Sequence, residues 1–202
     1  MRLRGLTQQP NNTVIVYPND QQYIWAVTQF DAAFKVVLRG NQTSNRLTIV
    51  EDLLYNGTAS RCQIHTREDV TMLVLNGSLQ FYLNGYQFCA PAGTTIHIPL
   101  NATQSQRNLG SKPVHIQILL TPSGLENYLD QIAVILAQQP LNETAANESA
   151  LANGLLFFPE VEWQDLHCAF NVGTLFFLSF PITFSVLLHY KMLFICGFAL
   201  LV

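Results

Sequence analysis

The sequence predicts an all-β domain, an antiparallel barrel or sandwich of the jelly-roll type closed by one helix. Short apolar runs rich in β-branched and aromatic residues recur from Thr13 to Thr121 and are separated by turn signals. Two Asn-Gly dipeptides, at 76–77 and 84–85, are of the kind that joins antiparallel strands. A single amphipathic stretch follows the last run, at 123–139.

The predicted strands follow one another closely along the chain. They are 13–17, 23–30, 34–38, 46–50, 70–75, 78–83, 86–90, 94–99 and 114–120. Because an Asn-Gly pair stands at each of two consecutive junctions, residues 69 to 89 are expected to form a three-stranded meander.

One helix is predicted after the strands. Ser123 and Glu126 have the spacing of a capping box at its start. Its apolar residues recur at helical spacing and are expected to pack on the barrel: Leu125, Tyr128, Leu129, Ile132, Ile135 and Leu136.

The composition divides the chain into four parts: an N-terminal arm at 1–19, the barrel with its closing helix at 20–136, a linker and short extension at 137–167, and a hydrophobic tail at 168–202. Within the third part, the polar residues 137–154 predict an exposed linker. The segment 155–166 is expected to add a strand or to pack on the barrel, since Pro159 disfavours a helix.

The hydrophobic tail contains a single charged residue, Lys191. Residues 169–188 are about long enough to cross a bilayer, so a membrane span is one interpretation. A translation artefact, such as a retained intron, is the other. The first thirteen residues show no apolar signal-peptide segment, so any export would use a different start or another element.

Composition excludes one class of function. Charged residues make up 11% of the chain, and the net charge is −3, whereas soluble domains carry about 25%. The ten Lys and Arg residues are scattered, so no basic patch for nucleic acid is predicted.

Glycosylation sequons are the strongest compositional signal. Random placement predicts about two Asn-x-Ser/Thr sequons, whereas the chain has seven: Asn11, Asn41, Asn56, Asn76, Asn101, Asn142 and Asn147. This excess predicts a glycoprotein of the secretory pathway, extracellular or membrane-anchored. Of the four cysteines, Cys62 and Cys89 are candidates for a disulfide inside the domain, and Cys168 and Cys196 lie in the tail.

The order of strands, with REDVTMLVLNG, APAGTTIHIP and RNLGSKPVHIQILLTPSGLENYL, resembles the cupin superfamily, in particular the cupins related to quercetin dioxygenases. The resemblance covers residues 20–136. It implies a jelly-roll barrel whose interior holds a divalent Fe, Mn, Ni or Cu ion through three His and one Glu.

Most of the positions that this resemblance makes metal ligands are substituted. Gln63, His65, Val70 and Gln104 occupy them, so only His65 is retained. One strong ligand does not hold a catalytic metal against water, so the expected cofactor is none. A substitute set of His65 and Glu68 with His97 or His115 is the alternative, and a local bulge would have to turn Glu68 inward.

These residues support three hypotheses. The first is a metal-free, non-catalytic barrel that binds a small molecule or protein partner, with Gln63, His65 and Gln104 lining the pocket. The second is a metal-dependent dioxygenase with an altered ligand set. The third is a structural or dimer-forming barrel, since cupins often pair through strand edges; a second cupin half, beginning near residue 155, is also compatible with the sequence.

Overall fold

The structure, a computed structural model, describes residues 13–17, 25–27, 32–138 and 140–168. These residues form eleven strands: β1 (Trp25–Val27), β2 (Ala32–Leu38), β3 (Thr48–Leu54), β4 (Gln63–His65), β5 (Asp69–Asn76), β6 (Ser78–Leu83), β7 (Tyr86–Pro91), β8 (Thr95–Ile98), β9 (Gln104–Arg107), β10 (Val114–Thr121) and β11 (Leu155–Phe157). They also form helices α1 (Leu125–Leu136) and α2 (Glu143–Ala152).

The strands make two antiparallel sheets that face each other as the halves of one jelly roll. The six-stranded sheet has the order β1-β2-β3-β10-β5-β8, and the five-stranded sheet has the order β11-β4-β9-β6-β7. One face of each sheet points into a shared core, and we call it the interior face. In β5, for example, Val70, Met72 and Val74 are buried at alternate positions. The predicted fold class is confirmed.

Of the Asn-Gly dipeptides at 76–77 and 84–85, the second forms the predicted hairpin and the first does not. Asn84 and Gly85 both have positive φ and join β6 to β7, with Leu83 paired to Tyr86. The meander prediction is wrong at Gly77, because β5 and β6 lie in different sheets. Gly77 carries the chain across in one residue, and a Cβ there would lie 2.8 Å from a methyl group of Val114.

Helix α1 forms as predicted, and its apolar face meets the barrel, since Leu125 and Ile132 are buried and Tyr128 and Leu129 pack on the core. The capping-box prediction is wrong. Gly124 is the N-cap and makes no side-chain cap hydrogen bond. The carboxylate of Glu126 instead accepts hydrogen bonds from the Gly40 amide and the Thr48 hydroxyl of the barrel.

The segment 137–154 was predicted to be an exposed linker; most of its described residues are exposed, but part of it is helical. Residues 143–152 form α2, whose first turn is capped by the Asn142 side chain accepting a hydrogen bond from the Ala145 amide at 3.0 Å. Ser149 donates to Gln131 of α1 at 2.8 Å, which fixes one helix on the other. An Ala- and Glu-rich run favours helix once a cap and a packing surface are present.

The segment 155–166, predicted to add a strand or to pack on the barrel, does both. β11 pairs with β4 at the edge of the five-stranded sheet. Residues 158–168, which we call the strap, then cross the outer face of that sheet. The prediction that Cys62 pairs with Cys89 is wrong, because Cys89 is bonded to Cys168 at the end of the strap and Cys62 is a buried free thiol. Cys89 lies on the outer face of β7, where the strap passes.

No helix within the described ranges is long and apolar enough to cross a membrane. The predicted span at 169–188 and Cys196 lie outside the described residues, as do most of the N-terminal arm and Asn11.

Candidate functional site

Three polar side chains come together on the interior face of the five-stranded sheet. Gln63 pairs with Gln104 across β4 and β9. Gln104 also pairs with Leu83, whose side chain packs on the core. Because directly paired residues share a face, both glutamines point into the barrel. His65, two residues along β4, shares that face. The structure thus brings together the three predicted pocket residues, and their role in binding stays a prediction.

His65 lies between an amide and a carboxylate. Its Nε2 is 3.4 Å from Gln63 Nε2, and its Nδ1 is 3.7 Å from Glu68 Oε2. His65 and Glu68 are only 5% and 2% exposed. Glu68 lies in the short connection between β4 and β5, so it is not bound to strand alternation and turns inward without a bulge.

The amino terminus of α1 lies over Glu68. A Cβ on Gly124, the N-cap residue, would be 3.4 Å from Glu68 Oε1. The partial positive charge at a helix amino terminus makes this a favourable position for a carboxylate. Gly124 also lines a cavity of about 290 Å³ whose wall includes Arg39, Asn45 and Glu126. Glu68 therefore lies directly behind the wall of a surface cavity.

Two interior residues were missed by the sequence analysis. Gln106 pairs with Phe81, which is fully buried in the core, so its side chain also points inward. The polar run around it, TQSQR, has no apolar alternation and was not predicted as a strand. Asp52 pairs with Ile116 on one side and Phe34 on the other, both of which belong to the core side of the sheet.

The interior position of Asp52 could have been predicted from strand alternation. β3 was predicted to end at Val50, but it continues to Leu54. Alternation then places Asp52 between Val50 and Leu54 on the interior face. Burial raises the pKa of Asp52 from 3.8 to about 7, against a smaller lowering by a hydrogen bond from the Leu53 backbone. If the predicted strand had run to Leu54, the sequence would have indicated a carboxyl group, that of Asp52, on the apolar face of β3.

Six buried side-chain atoms make no hydrogen bond to any described residue. They are Asp52 Oδ1, His65 Nδ1, Glu68 Oε2, Gln104 Oε1, Gln104 Nε2 and Gln106 Oε1. Gln104 is 0% exposed and Gln106 is 5% exposed. Nearly all buried polar groups in native proteins have partners. All five residues lie inside the barrel or at its α1 end, so the interior presents a concentrated set of unmet donors and acceptors.

The two other predicted metal ligands lie elsewhere. His97 is exposed on β8, where Ile96 and Ile98 are the buried residues, and its Nδ1 is 3.2 Å from Thr71 Oγ1. His115 is on the outer face of β10, with Nε2 3.2 Å from Glu51 Oε2. Strand alternation directs both rings away from the core. The substitute set of His65 and Glu68 with His97 or His115 is therefore not assembled.

The residues that face the barrel interior do not fit the metal centre that the cupin resemblance implies. Val70, at the carboxylate position, offers only hydrocarbon, and Gln63 and Gln104 offer neutral amides in place of imidazoles. Among the described residues, no group of three or more His, Cys, Asp and Glu side chains is arranged to hold an ion. His65 and Glu68 are the pair that remains.

The glycosylation candidates within the described ranges share one property. All six have exposed side chains: Asn41, Asn56, Asn76, Asn101, Asn142 and Asn147. The amide oxygens of Asn142 and Asn147 both accept hydrogen bonds, from the Ala145 amide and from Arg61 respectively. A glycan is attached through the amide nitrogen, so those two hydrogen bonds are compatible with modification.

Known proteins resemble this chain in fold alone. No protein-family profile matches it, and no curated protein matches it. A predicted oxalate decarboxylase from Thermotoga maritima has a TM-score of 0.49 and 15% identity, over 54% of this chain and 99% of that one. An RmlC-like cupin from Shewanella frigidimarina has a TM-score of 0.45 and 12% identity, over 53% and 88%. A Cupin_2 domain of an XRE family transcriptional regulator from Enterobacter cloacae has a TM-score of 0.41 and 19% identity, over 45% and 95%.

The strand order and the jelly-roll topology of the chain itself define a cupin-type fold, which confirms the resemblance predicted from sequence at the level of the fold. A fold of this kind hosts many chemistries, so the function has to be argued from the interior residues.

Proposed function

We propose that this protein is a metal-free, non-catalytic barrel that binds a small polar molecule through hydrogen bonds to its interior face. The observation that carries the proposal is Gln104, which is fully buried, faces Gln63 across the strand pair, and has both amide atoms without a partner. An unpartnered buried amide costs about 1–3 kcal/mol. A ligand with complementary donors and acceptors would recover that cost on binding.

A fragment screen tests this proposal. The full chain would be screened in EDTA, by thermal shift and by NMR, against small polar fragments divided evenly among cations, neutral molecules and anions. Hits should protect the wild type and lose their effect in Gln104→Leu, whose side chain has nearly the same volume. Absence of any hit, or hits unaffected by Gln104→Leu, would contradict the proposal.

Gln80→Leu is the matched control for that screen. Gln80 lies on β6, beside β9, and is as buried as Gln104, but its side chain is fully hydrogen-bonded on the outer face. Ligand binding inside the barrel should survive this substitution, whatever its effect on stability.

The alternative function is a metal-dependent dioxygenase with an altered ligand set, and the proximity of His65 to Glu68 is the observation that favours it. Elemental analysis of the full chain purified without added ions distinguishes the two. Near-stoichiometric Mn, Fe, Ni or Cu that is lost in His65→Ala would establish the alternative and reject the metal-free proposal.

We also propose that the barrel resides in the secretory pathway or outside the cell. The exposure of six sequon asparagines and the Cys89–Cys168 bond support this location, because disulfides persist in oxidising compartments. Membrane attachment through 169–188 is part of the same proposal. We propose in addition that the protein forms a homodimer through the outer face of the six-stranded sheet. The exposed Leu53 and Leu75 support this interface.

A further inference from the structure

The barrel interior contains two acidic groups and no lysine or arginine among the described residues; its one basic side chain there is the imidazole of His65, whose Nδ1 is 3.7 Å from Glu68 Oε2. Asp52 and Glu68 supply the acidic groups. Lys35 lies on the outer face, paired with Glu51 at 2.8 Å, and Arg107 lies on the outer face of the other sheet, over the ring of Trp163. Arg39 is paired with Asp130 of α1, and the remaining described Lys and Arg residues are exposed: Arg46, Arg61, Arg67 and Lys112. Asp52 faces none of these cations, and burial raises its pKa.

The buried atoms without a hydrogen-bond partner are mostly acceptors, which also favours a cationic or donor-rich guest. Of the six unpartnered buried atoms, four are oxygens: Asp52 Oδ1, Glu68 Oε2, Gln104 Oε1 and Gln106 Oε1. Carboxylate and amide oxygens accept hydrogen bonds, and the Gln104 amide nitrogen is the one obligate donor in the set. A guest that satisfies this interior must therefore bring more N–H or O–H groups than acceptors.

The acceptors extend along the barrel. On one wall they run from Glu68 past His65 to Gln104 and then to Gln106, because β4 and β9 are antiparallel with Gln63 opposite Gln104. On the other wall, Asp52 lies four residues along β3 from Thr48, the end of the strand that meets α1. Four residues of strand span roughly 13 Å. One carboxyl thus lies at the α1 end of the interior and the other lies deeper.

We infer that the interior ligand is a small organic cation, an ammonium compound whose N–H groups are received by Glu68 and Asp52 and by the amide oxygens between them. This inference rests on the proposed function and specifies its ligand class. An ammonium group offers three donors and a full positive charge, which match the carboxyl groups and the excess of unpartnered acceptor atoms in the interior. The raised pKa of Asp52 agrees with a carboxyl that lacks a cation partner in the free protein.

The decisive experiment compares three four-carbon probes that differ in charge: putrescine, 1,4-butanediol and succinate. Each would be titrated into the full chain by calorimetry in EDTA, at pH 8 and constant ionic strength. Putrescine should bind about tenfold or more tightly than the diol, and succinate should bind least. Equal or tighter binding of the diol or of succinate would overturn the inference, and so would failure of all three to bind.

Charge-neutral variants locate the effect. Asp52→Asn and Glu68→Gln should each reduce putrescine affinity about tenfold while leaving diol binding nearly unchanged. Glu51→Gln is the control, because Glu51 adjoins Asp52 on β3 but faces outward to Lys35. A charge preference that persists in both Asp52→Asn and Glu68→Gln would overturn the inference, and having two variants keeps the test decisive if one does not fold.

The result also separates this inference from the proposed function. Diol binding that is lost in Gln104→Leu but shows no preference for the ammonium probe would reject the cation and keep the small-molecule barrel. A fragment screen without hits of any charge would reject the barrel itself.

Discussion

Gln80 on β6 and Gln104 on β9 lie on adjacent strands but on opposite faces of the sheet, and their side chains differ in hydrogen bonding. Gln80 Nε2 donates to the Gln164 carbonyl at 2.7 Å, and its Oε1 accepts from Arg107 at 2.7 Å. Gln104, equally buried, has no partner at either atom. Since a buried polar group is stabilising only when it is paired, these residues should respond oppositely to removal of the amide.

We expect Gln104→Leu to raise the free energy of unfolding of the ligand-free protein by about 1 kcal/mol or more, because it replaces an unpaired amide with hydrocarbon. Gln80→Leu should lower it by about 2–3 kcal/mol, because the Arg107 guanidinium and the Gln164 carbonyl each lose their hydrogen bond to Gln80. Urea unfolding of both variants checks this. If Gln104→Leu destabilises as much as Gln80→Leu, the amide has a partner that the structure does not show.

Asp52 should make stability depend on pH. Its pKa rises from 3.8 to about 7 on folding because of burial, so the folded state binds the extra proton between these values. Stability therefore falls as pH rises from about 4 to about 7 and levels off above, by at most about 4 kcal/mol. The neighbours on the interior face, Phe34 and Ile116, carry no charge that would offset this trend.

Asp52→Asn should remove that slope and stabilise the protein at pH 8. Thermal unfolding of the wild type, Asp52→Asn and the outward-facing control Glu51→Gln between pH 5.5 and 8 provides the measurement. A slope that is the same in all three proteins would show that Asp52 does not cause it.

At the scale of elements, one carboxylate joins α1 to the barrel. Glu126 Oε1 accepts from the Gly40 amide at 2.8 Å, and Oε2 accepts from the Gly124 amide at 2.9 Å and from the Thr48 hydroxyl. Gly40 must be glycine, because a Cβ there would lie 2.7 Å from Ser123 Cβ. Burial alone would raise the pKa of Glu126, but the hydrogen bonds from Thr48, Gly40 and Gly124 outweigh it and lower the pKa below 4.5.

Glu126→Gln should destabilise the protein by about 1–3 kcal/mol at neutral pH, since an amide cannot accept all three hydrogen bonds with a charge. Because the pKa of Glu126 is lowered on folding, its contribution is present above the unfolded pKa and is lost as pH falls through the folded one. The difference between wild type and Glu126→Gln should therefore shrink below about pH 4.5. A constant difference down to pH 3 would mean that charge is not involved.

The elements show what could be predicted from the sequence. Alternating β-branched runs identified most strands, and helical spacing identified α1, because burial of one face imposes those periods. The polar strands β4 and β9 lack that signal, and α2 depends on a cap and on packing against α1. Gly77 was taken for a hairpin residue because the dipeptide is the same whether the next strand pairs or changes sheets.

The candidate site was also predictable only in part. Gln63, His65 and Gln104 were found from the spacing of the cupin resemblance, and they do share one face. Asp52 required knowing that β3 continues past Val50. The positions of His97 and His115 on the outer faces followed from strand register, which local sequence does not specify.

For the whole molecule, we expect the strap and its disulfide to contribute strongly to stability. Gln87 donates to the Glu162 carbonyl at 2.8 Å and accepts from the Gln164 amide at 3.0 Å, and the Cys89–Cys168 bond closes a loop with a sequence separation of 79. Constraining a loop of that length stabilises by about 4 kcal/mol in the chain-entropy account.

Cys168→Ser should therefore lower the melting temperature by roughly 10 °C. A reducing agent should lower the wild-type value to the same level and leave Cys168→Ser unchanged. A wild type that melts at one temperature with and without reductant, under conditions where the free-thiol count confirms reduction, would contradict the prediction.

Glycosylation would also affect the whole molecule, because six exposed sequons are distributed along the barrel and its helices. Expressed with a signal peptide in a eukaryotic host, the protein should lose mass on enzymatic deglycosylation. Asn56→Gln should remove one glycan with little effect on stability, whereas Asn142→Gln should also cost about 1 kcal/mol as the α2 cap is lost. An unchanged mass in the secreted wild type would argue against glycosylation.

The Cys89–Cys168 bond also determines how the molecule carries tension. A pull applied to the chain beyond residue 168 passes through the sulfur atoms into the middle of β7, so the residues between the two cysteines bear no load. The extension they would otherwise release, roughly 280 Å at 3.6 Å per residue, is withheld until the bond is reduced. In an oxidising compartment, β8 to β11, both helices and the strap would thus remain closed in a loop while the strands before Cys89 were drawn out.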